Sequence, residues 1–412
     1  MTFNRRSLLA LGVFVALAAM AGLGRWYETH RARPQANASS TLLVHVTNGS
    51  DRGPGTLREA LFLVASSREP GRISIEVTTI TLESALPAIV SGNGISLVAQ
   101  AGSSLIDAEA LPSGPVFDIS GPGTLVQGIN VRHCPAAAIL VRSSHFHLTG
   151  STVEDCEVGV EVAENAGGTL LEHNLLLKNR IGVRFAAAGR DSVIANNEFR
   201  ENRDAGVWAV RSAFEERDDA IGIHDNMFRG NGIGIVAGNI GVRAERNDFV
   251  NAHEADVQIV GAGAVIRGNH LDGGEAMGIV AENARGAVIS DNEIEGLTAY
   301  GVMLRGSSNT LVEKNRVHNC GYGLAFVLGD PRAVSSAVDN TIIEPKYNGI
   351  DVIGDSPVLR RNQVLRAHAY ALHIENFTAA GRPTVQAQPF LDDNNFGGSP
   401  VSGGVNTAGQ HK

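Results

Sequence analysis

The segment LLEHNLLLKNRIGVRF, residues 170–185, sets an apolar run, an Asn, a second apolar run, a polar turn and then a Gly that opens an alternating strand. The same order returns in VIANNEFRENRDAGVWAV (193–210), GIHDNMFRGNGIGIVA (222–237), VIRGNHLDGGEAMGIV (265–280), VISDNEIEGLTAYGVML (288–304) and LVEKNRVHNCGYGLAF (311–326). The Asn recurs at Asn174, Asn197, Asn226, Asn247, Asn269, Asn292, Asn315, Asn340 and Asn362, with Ile129 and Ser151 holding the slot in two earlier copies. Two short strands plus turns cannot bury an apolar face alone, so successive copies must stack. A period of about 22 residues, with Gly-rich turns and no stretch of helical periodicity, predicts an all-β, single-stranded parallel β-helix. Its hand is expected to be right, as for other parallel crossovers.

Stacking places equivalent side chains about 4.8 Å apart, the spacing of paired strands. The nine Asn then form a ladder in which each amide bonds the coils above and below. Asn also tolerates the left-handed backbone that such turns demand, so a structural role is expected of all nine. A second column runs Cys134, Cys156, Asn179, Asn202, Asn231, Ala252, Gly274, Leu297, Cys320, Pro345 and Ala367. In it, Cys134 and Cys156 lie one coil apart. Stacked thiols are expected there, a disulfide is geometrically open, and no metal set is expected because no His or Cys partners share the spacing.

Composition agrees. Of 412 residues 48 are Gly and only 5% are aromatic, which suits many turns better than large aromatic cores. A formal charge of -9, with no cluster of Lys and Arg, gives no footprint for nucleic acid. The first 21 residues read as an export signal: Arg5 and Arg6, an apolar run of moderate length, and the small-residue site around Ala19 and Ala21. Arg5-Arg6-Ser7-Leu8-Leu9 resembles a twin-arginine signal. Residues 22–41 are expected to be a linker, 42–376 the β-helix, and 377–412 a cap segment ending in a disordered tail. A membrane contact is expected only if the N-terminal segment is retained as an anchor. In VTNGSDRGPGTLREALFLVASS, Thr56 and Glu59 form a capping box, and Leu57, Ala60, Leu61 and Val64 share one helical face. A helical cap over 56–65 is therefore predicted, covering the exposed first coil.

The blocks ISIEVTTITLESALPAI, GISLVAQ, SLIDA, VFDIS and TLVQGINV resemble the opening coils of the pectin-lyase-like right-handed parallel β-helix superfamily, and the resemblance runs from about Val46 to Asn376. It implies the fold directly. For activity it implies a range: polysaccharide lyases, hydrolases, uronate epimerases, adhesins, and periplasmic accessory proteins that help mature copper enzymes. Uronate lyases and epimerases of this fold need a basic residue and often Ca²⁺. No DxDxDG-type calcium loop occurs, and no cofactor is evident. The Asp-Pro-His-Asp motif of alginate epimerases has Asp330-Pro331-Arg332-Ala333 as its nearest match, lacking the His and the second Asp.

Strand alternation leaves one outward residue on each second strand: Glu161, Arg184, Trp208, Val236, Gln258, Val280, Met303, Ala325, Asp351 and His373. Two insertions, Arg211 to Ala220 and Leu328 to Val338, follow this strand and leave on the same side. The first sets Trp208, Arg211 and His224 beside the charged run Glu215 to Asp219, a candidate groove wall for a sugar; the second brings Arg332. Four tyrosines, Tyr300, Tyr322, Tyr347 and Tyr370, fall in one turn column. Beside them Asp351 and His373 occupy the outward column one coil apart, with Lys346 and Glu375 near. A carboxylate next to an imidazole is an acid/base pair, so Asp351 and His373 are the candidate catalytic residues. Trp208, Arg184, Tyr300, Tyr322, Tyr347, Tyr370, Lys346 and Arg332 are the candidate substrate-binding residues. The expected function is carbohydrate handling by an exported monomer that binds or modifies a polysaccharide in the periplasm or envelope. The alternative is a non-catalytic scaffold or accessory protein that binds a glycan or a protein.

Overall fold

The computed structural model describes residues 41–402, apart from 91–93, 101–102, 165, 187–188, 212–219, 331 and 380–381. The export segment, most of the linker, the charged run 212–219 and residues 403–412 lie outside the described residues. The described chain is a right-handed parallel β-helix of three long sheets, with 15, 13 and 13 strands, in which each strand pairs with its equivalent one coil away. A typical coil gives Leu170–Glu172 to the first sheet, Leu175–Leu177 to the second and Ile181–Phe185 to the third. In each of these strands the middle apolar residues point inward. The core is a column of Ile, Val, Leu, Ala and Phe side chains at or near zero exposure, within which Phe199, Phe228 and Phe249 stack at 4.8 and 4.7 Å.

The Asn ladder forms as predicted. Asn174 Nδ2 donates to Asn197 Oδ1 at 3.0 Å, and the bond repeats coil by coil to Asn362. Each Nδ2 also donates to an inward carbonyl, as Asn269 does to Ala244 O at 2.9 Å. Ser151 and Ile129 continue the column toward the N-terminus. One expectation needs correcting. The left-handed residue is the one before each ladder Asn, such as His173, Asn196, Asp225 and Arg246, with φ of 53–56°. The sharp turn is made there, which frees the Asn side chain to lie along the solenoid axis.

The second column also forms a short ladder, with Asn179 Nδ2 donating to Asn202 Oδ1 at 3.2 Å and Asn202 Nδ2 to Asn231 Oδ1 at 2.8 Å. Cys134 and Cys156 are joined as a disulfide, their Cα atoms 4.3 Å apart, where stacked thiols were expected; one coil step is the separation a disulfide spans. Cys320 is a buried free thiol, pushed up to about 11 by burial.

At the N-terminus the helix α1, Leu57–Ala65, buries Leu57, Ala60, Leu61 and Val64 against the first coil, and Thr56 Oγ1 accepts from Glu59 N. The reciprocal bond goes one residue earlier than a capping box requires, from Gly55 N to Glu59 Oε2 at 2.6 Å. The C-terminal segment departs further from its reading. Phe390–Asp392 pairs with Val358–Arg360, Val401–Ser402 pairs with Leu372–Glu375, and Asn394 accepts from Asn362 Nδ2 at 3.0 Å as a tenth ladder residue. The coil pattern therefore continues past Asn376. The 32-residue step from Asn362 to Asn394 concealed it.

Candidate functional site

The third sheet carries the outward column in the predicted register, Glu161 to Arg184 to Trp208 to Val236 and on to Asp351 and His373. Its two ends differ in character. Around Trp208 the outward face is apolar: Val236 and Val280 are buried, and Trp208, Val210, Met277 and Met303 pack over them. From Tyr300 onward it becomes aromatic and polar.

Tyr300 and Tyr322 open paired strands of the third sheet and stack, whereas Tyr347 and Tyr370 lie in the turns before Ile350–Ile353 and Leu372–Glu375, Tyr347 one residue ahead of the register expected for it. Tyr300 and Tyr322 lie with ring centroids 4.4 Å apart, and Tyr322 and Tyr347 at 5.0 Å. Tyr370 turns instead to His373, at 5.8 Å. Asp351 is only 3% exposed, and His373 Nδ1 lies 3.3 Å from its Oδ1. Asn348 Nδ2 donates to the same oxygen at 2.7 Å, and the Tyr300 hydroxyl reaches Oδ2 at 3.4 Å. Burial raises the Asp351 carboxyl above the usual range, opposed by the bonds from Asn348 and His373. Burial and the adjacent carboxylate push the Tyr300 phenol up to about 12, so it remains a donor. With Nδ1 directed at an acceptor, the outer His373 nitrogen is left as a base or acceptor on a partly exposed ring.

Asn348 escaped the sequence reading. It stands where the tyrosine column skips a coil, and that substitution was the available signal. Its amide oxygen also accepts from Tyr370 N at 3.2 Å, so one side chain ties the Asp to the last tyrosine. Lys346 sits exposed in the same turn beside Tyr347, which is 53% exposed.

Other predicted binding residues are not brought here. Trp208 and Asp351 share a column but stand six coil steps apart, about 29 Å at the usual strand spacing. Arg184 is paired with Glu161 at 2.6 Å. His224 Nδ1 bonds Asp225 at 2.8 Å. Arg332 lies in the loop beyond the far end of the strand Tyr322–Val327, across the sheet from the tyrosines. The wall imagined from Glu215 to Asp219 falls outside the described residues. An open groove of about 760 Å³ lies elsewhere, along the ladder turn, lined by residues such as His173, Asn196, Asp225 and Arg246.

Metal ligation has one candidate trio among the described residues, Asp107, Glu109 and His133. Arg132 already donates to Asp107 Oδ2 through Nε and Nη2 at 3.0 and 2.8 Å, and His133 Nδ1 lies 3.0 Å from Oδ1.

Comparison with known proteins bears on the fold. A family model described as a right-handed β-helix region matches residues 212–364, and one described as a periplasmic copper-binding protein, NosD, matches residues 72–263. No curated protein matches the chain in sequence. Among solved structures it is similar to the PL6-family polysaccharide lyase from Pseudopedobacter saltans, at 12% identity and a TM-score of 0.53, over 86% of this chain and 92% of that one. It is also similar to the tailspike of E. coli bacteriophage HK620, at 11% identity and a TM-score of 0.53, over 85% and 78%. At such identities the likeness is one of fold. No helix among the described residues is long and apolar enough to cross a membrane.

Proposed function

We propose that this chain, which has the right-handed parallel β-helix fold of the pectin-lyase-like superfamily, is an exported carbohydrate-handling protein that binds a polysaccharide at the Tyr300, Tyr322, Tyr347, Asp351 and His373 end of its third sheet. The observation that carries this reading is the convergence of stacked, partly exposed tyrosine rings with a buried carboxylate that orients an imidazole. The exposed edge and outer face of the tyrosine stack suit the C–H faces of pyranose rings, and the outer His373 nitrogen, the tyrosine hydroxyls and the exposed Lys346 supply partners for hydroxyls, with Asp351 and Asn348 holding the imidazole from beneath. The N-terminal signal supports export, and the periplasmic description of the matching family accords with it. A polysaccharide lyase of the same fold supports a glycan as ligand.

If the bound glycan is also modified, the chemistry falls to His373 as base or acid, with Asp351 fixing its tautomer. The alternative is a non-catalytic binding scaffold that uses the same face without turnover. Among the described residues no cluster of His and Cys offers itself for a copper-handling version of that alternative. The single trio is two-thirds carboxylate and engaged by Arg132, two thiols are tied in a disulfide, and the third is buried.

The test is a screen of the purified protein against uronate and neutral polysaccharides, read by affinity, by absorbance of unsaturated ends and by reducing sugar. His373→Ala and Tyr322→Ala are expected to weaken binding roughly tenfold or more with melting unchanged. If turnover is found, Asp351→Asn should lower kcat by about 10² or more while KM changes less. Wild-type behaviour of all three would sink this site.

A further inference from the structure

One column of the third sheet is glycine in coil after coil: Gly159, Gly182, Gly206, Gly234, Gly278, Gly301, Gly323 and Gly349. The cause is steric. A Cβ at any of these eight would lie no more than 3.0 Å from the carbonyl oxygen of the next coil. Between Gly234 and Gly278 the column holds Asp256 instead. This is a poor place for a carboxylate. Asp256 is fully buried, and neither of its oxygens has a hydrogen-bond partner among the described residues. The polar atoms that the column presents are carbonyl oxygens, which accept and do not donate. The nearest amide ladder stops one coil short, at Asn231, and its column continues as Ala252 and Gly274.

We propose that Asp256 is a protonated, uncharged acid in the middle of the solenoid, and that its ionisation is a pH-sensitive joint which loosens the coils between Ile233–Gly238 and Met277–Arg285. An ionised carboxylate facing carbonyls in an apolar interior is strongly disfavoured, whereas the neutral acid can donate its proton to one of them. Burial, and secondarily the charge of Asp272, push the Asp256 carboxyl well above the ordinary range, in agreement with this geometry. The titratable groups that bear on it are Asp272, from the second sheet, and the buried Cys320 thiol. On the adjoining elements His253, Glu254 and Glu275 are exposed and Glu282 is partly so. The joint underlies the apolar outward strip of Val236 and Val280, which connects the Trp208 end of the sheet to the tyrosine end.

The sign follows from the raised value. The unfolded chain ionises Asp256 above a pH of about 4, while the folded chain holds the proton. Stability contributed by the neutral acid is therefore full below that pH and is lost as pH rises toward the folded value. The test compares wild type with Asp256→Asn, which mimics the neutral acid, and Asp256→Gly, which restores the column, in denaturant titrations of the full chain from pH 4 to 9. Relative to either variant, the wild-type unfolding constant is expected to rise by up to tenfold per pH unit across the window, the limit for one proton. Hydrogen exchange should show faster opening at residues 255–262 over the same range. Parallel pH profiles for all three proteins would overturn the proposal. So would wild-type stability that rises with added Na⁺ or Ca²⁺ while Asp256→Gly stays flat, because the carboxylate would then be ionised and paired with a cation.

Discussion

Replacing Asn269 by alanine is expected to lower stability by ~4 kcal/mol, with a matching fall in the denaturant midpoint. Asn269 is 1% exposed and its side chain makes four bonds. Its Oδ1 accepts from Asn247 N at 2.9 Å and Asn247 Nδ2 at 3.0 Å, and its Nδ2 donates to Asn292 Oδ1 at 3.0 Å and Ala244 O at 2.9 Å. Alanine strands at least two of these groups without water, and each costs about 1–3 kcal/mol. The loss falls in mid-ladder, where coils on both sides depend on the same column. A solenoid has only nearest-neighbour contacts, so the damage should appear as a split or broadened transition as well as a shifted one. An unchanged midpoint would contradict the stacked register.

Gly182→Val is expected to be as severe, at ~3 kcal/mol or more, or to prevent folding. A Cβ there would meet Gly206 O at 2.5 Å and Phe199 Cδ1 at 2.9 Å. Backbone and a stacked Phe both resist displacement, since Phe199 is held against Phe228. Gly222 in the first sheet is the control. Its added Cβ would find nothing nearer than 3.8 Å, so Gly222→Val should be neutral or mildly stabilising through strand propensity. If both changes cost the same, crowding in the glycine column is not what selects glycine.

The contrast between these positions shows what the sequence makes legible. A period of about 22 residues, an Asn in each copy and alternating apolar residues identify the coils, their register and the outward column, because each is a repeated local pattern. Those same patterns put Tyr300, Tyr322, Asp351 and His373 on one face, where the structure finds them together. What is not repeated was not readable. Asn394 hides behind a long step, and Asn348 is a polar residue in an aromatic column, meaningful only once its bond to Asp351 is seen. Trp208 and Arg184 share the column with Asp351 but stand six and seven coil steps from it, too far to join one short site. Asp256 differs again: its oddness lies in standing where glycine is required, a requirement that comes from a carbonyl one coil away.

Hydrogen exchange of the full chain with and without its best polysaccharide from the screen locates the bound glycan, because it reports where the ligand rests without assuming that it is transformed. The expected result is slowed exchange in residues 300–303, 322–325, 347–351 and 370–373, the turns and strand starts that carry the tyrosines, Asp351 and His373. Slowed exchange confined to the ladder-turn groove between Gly150 and Asp248, with the tyrosine end unchanged, would contradict it.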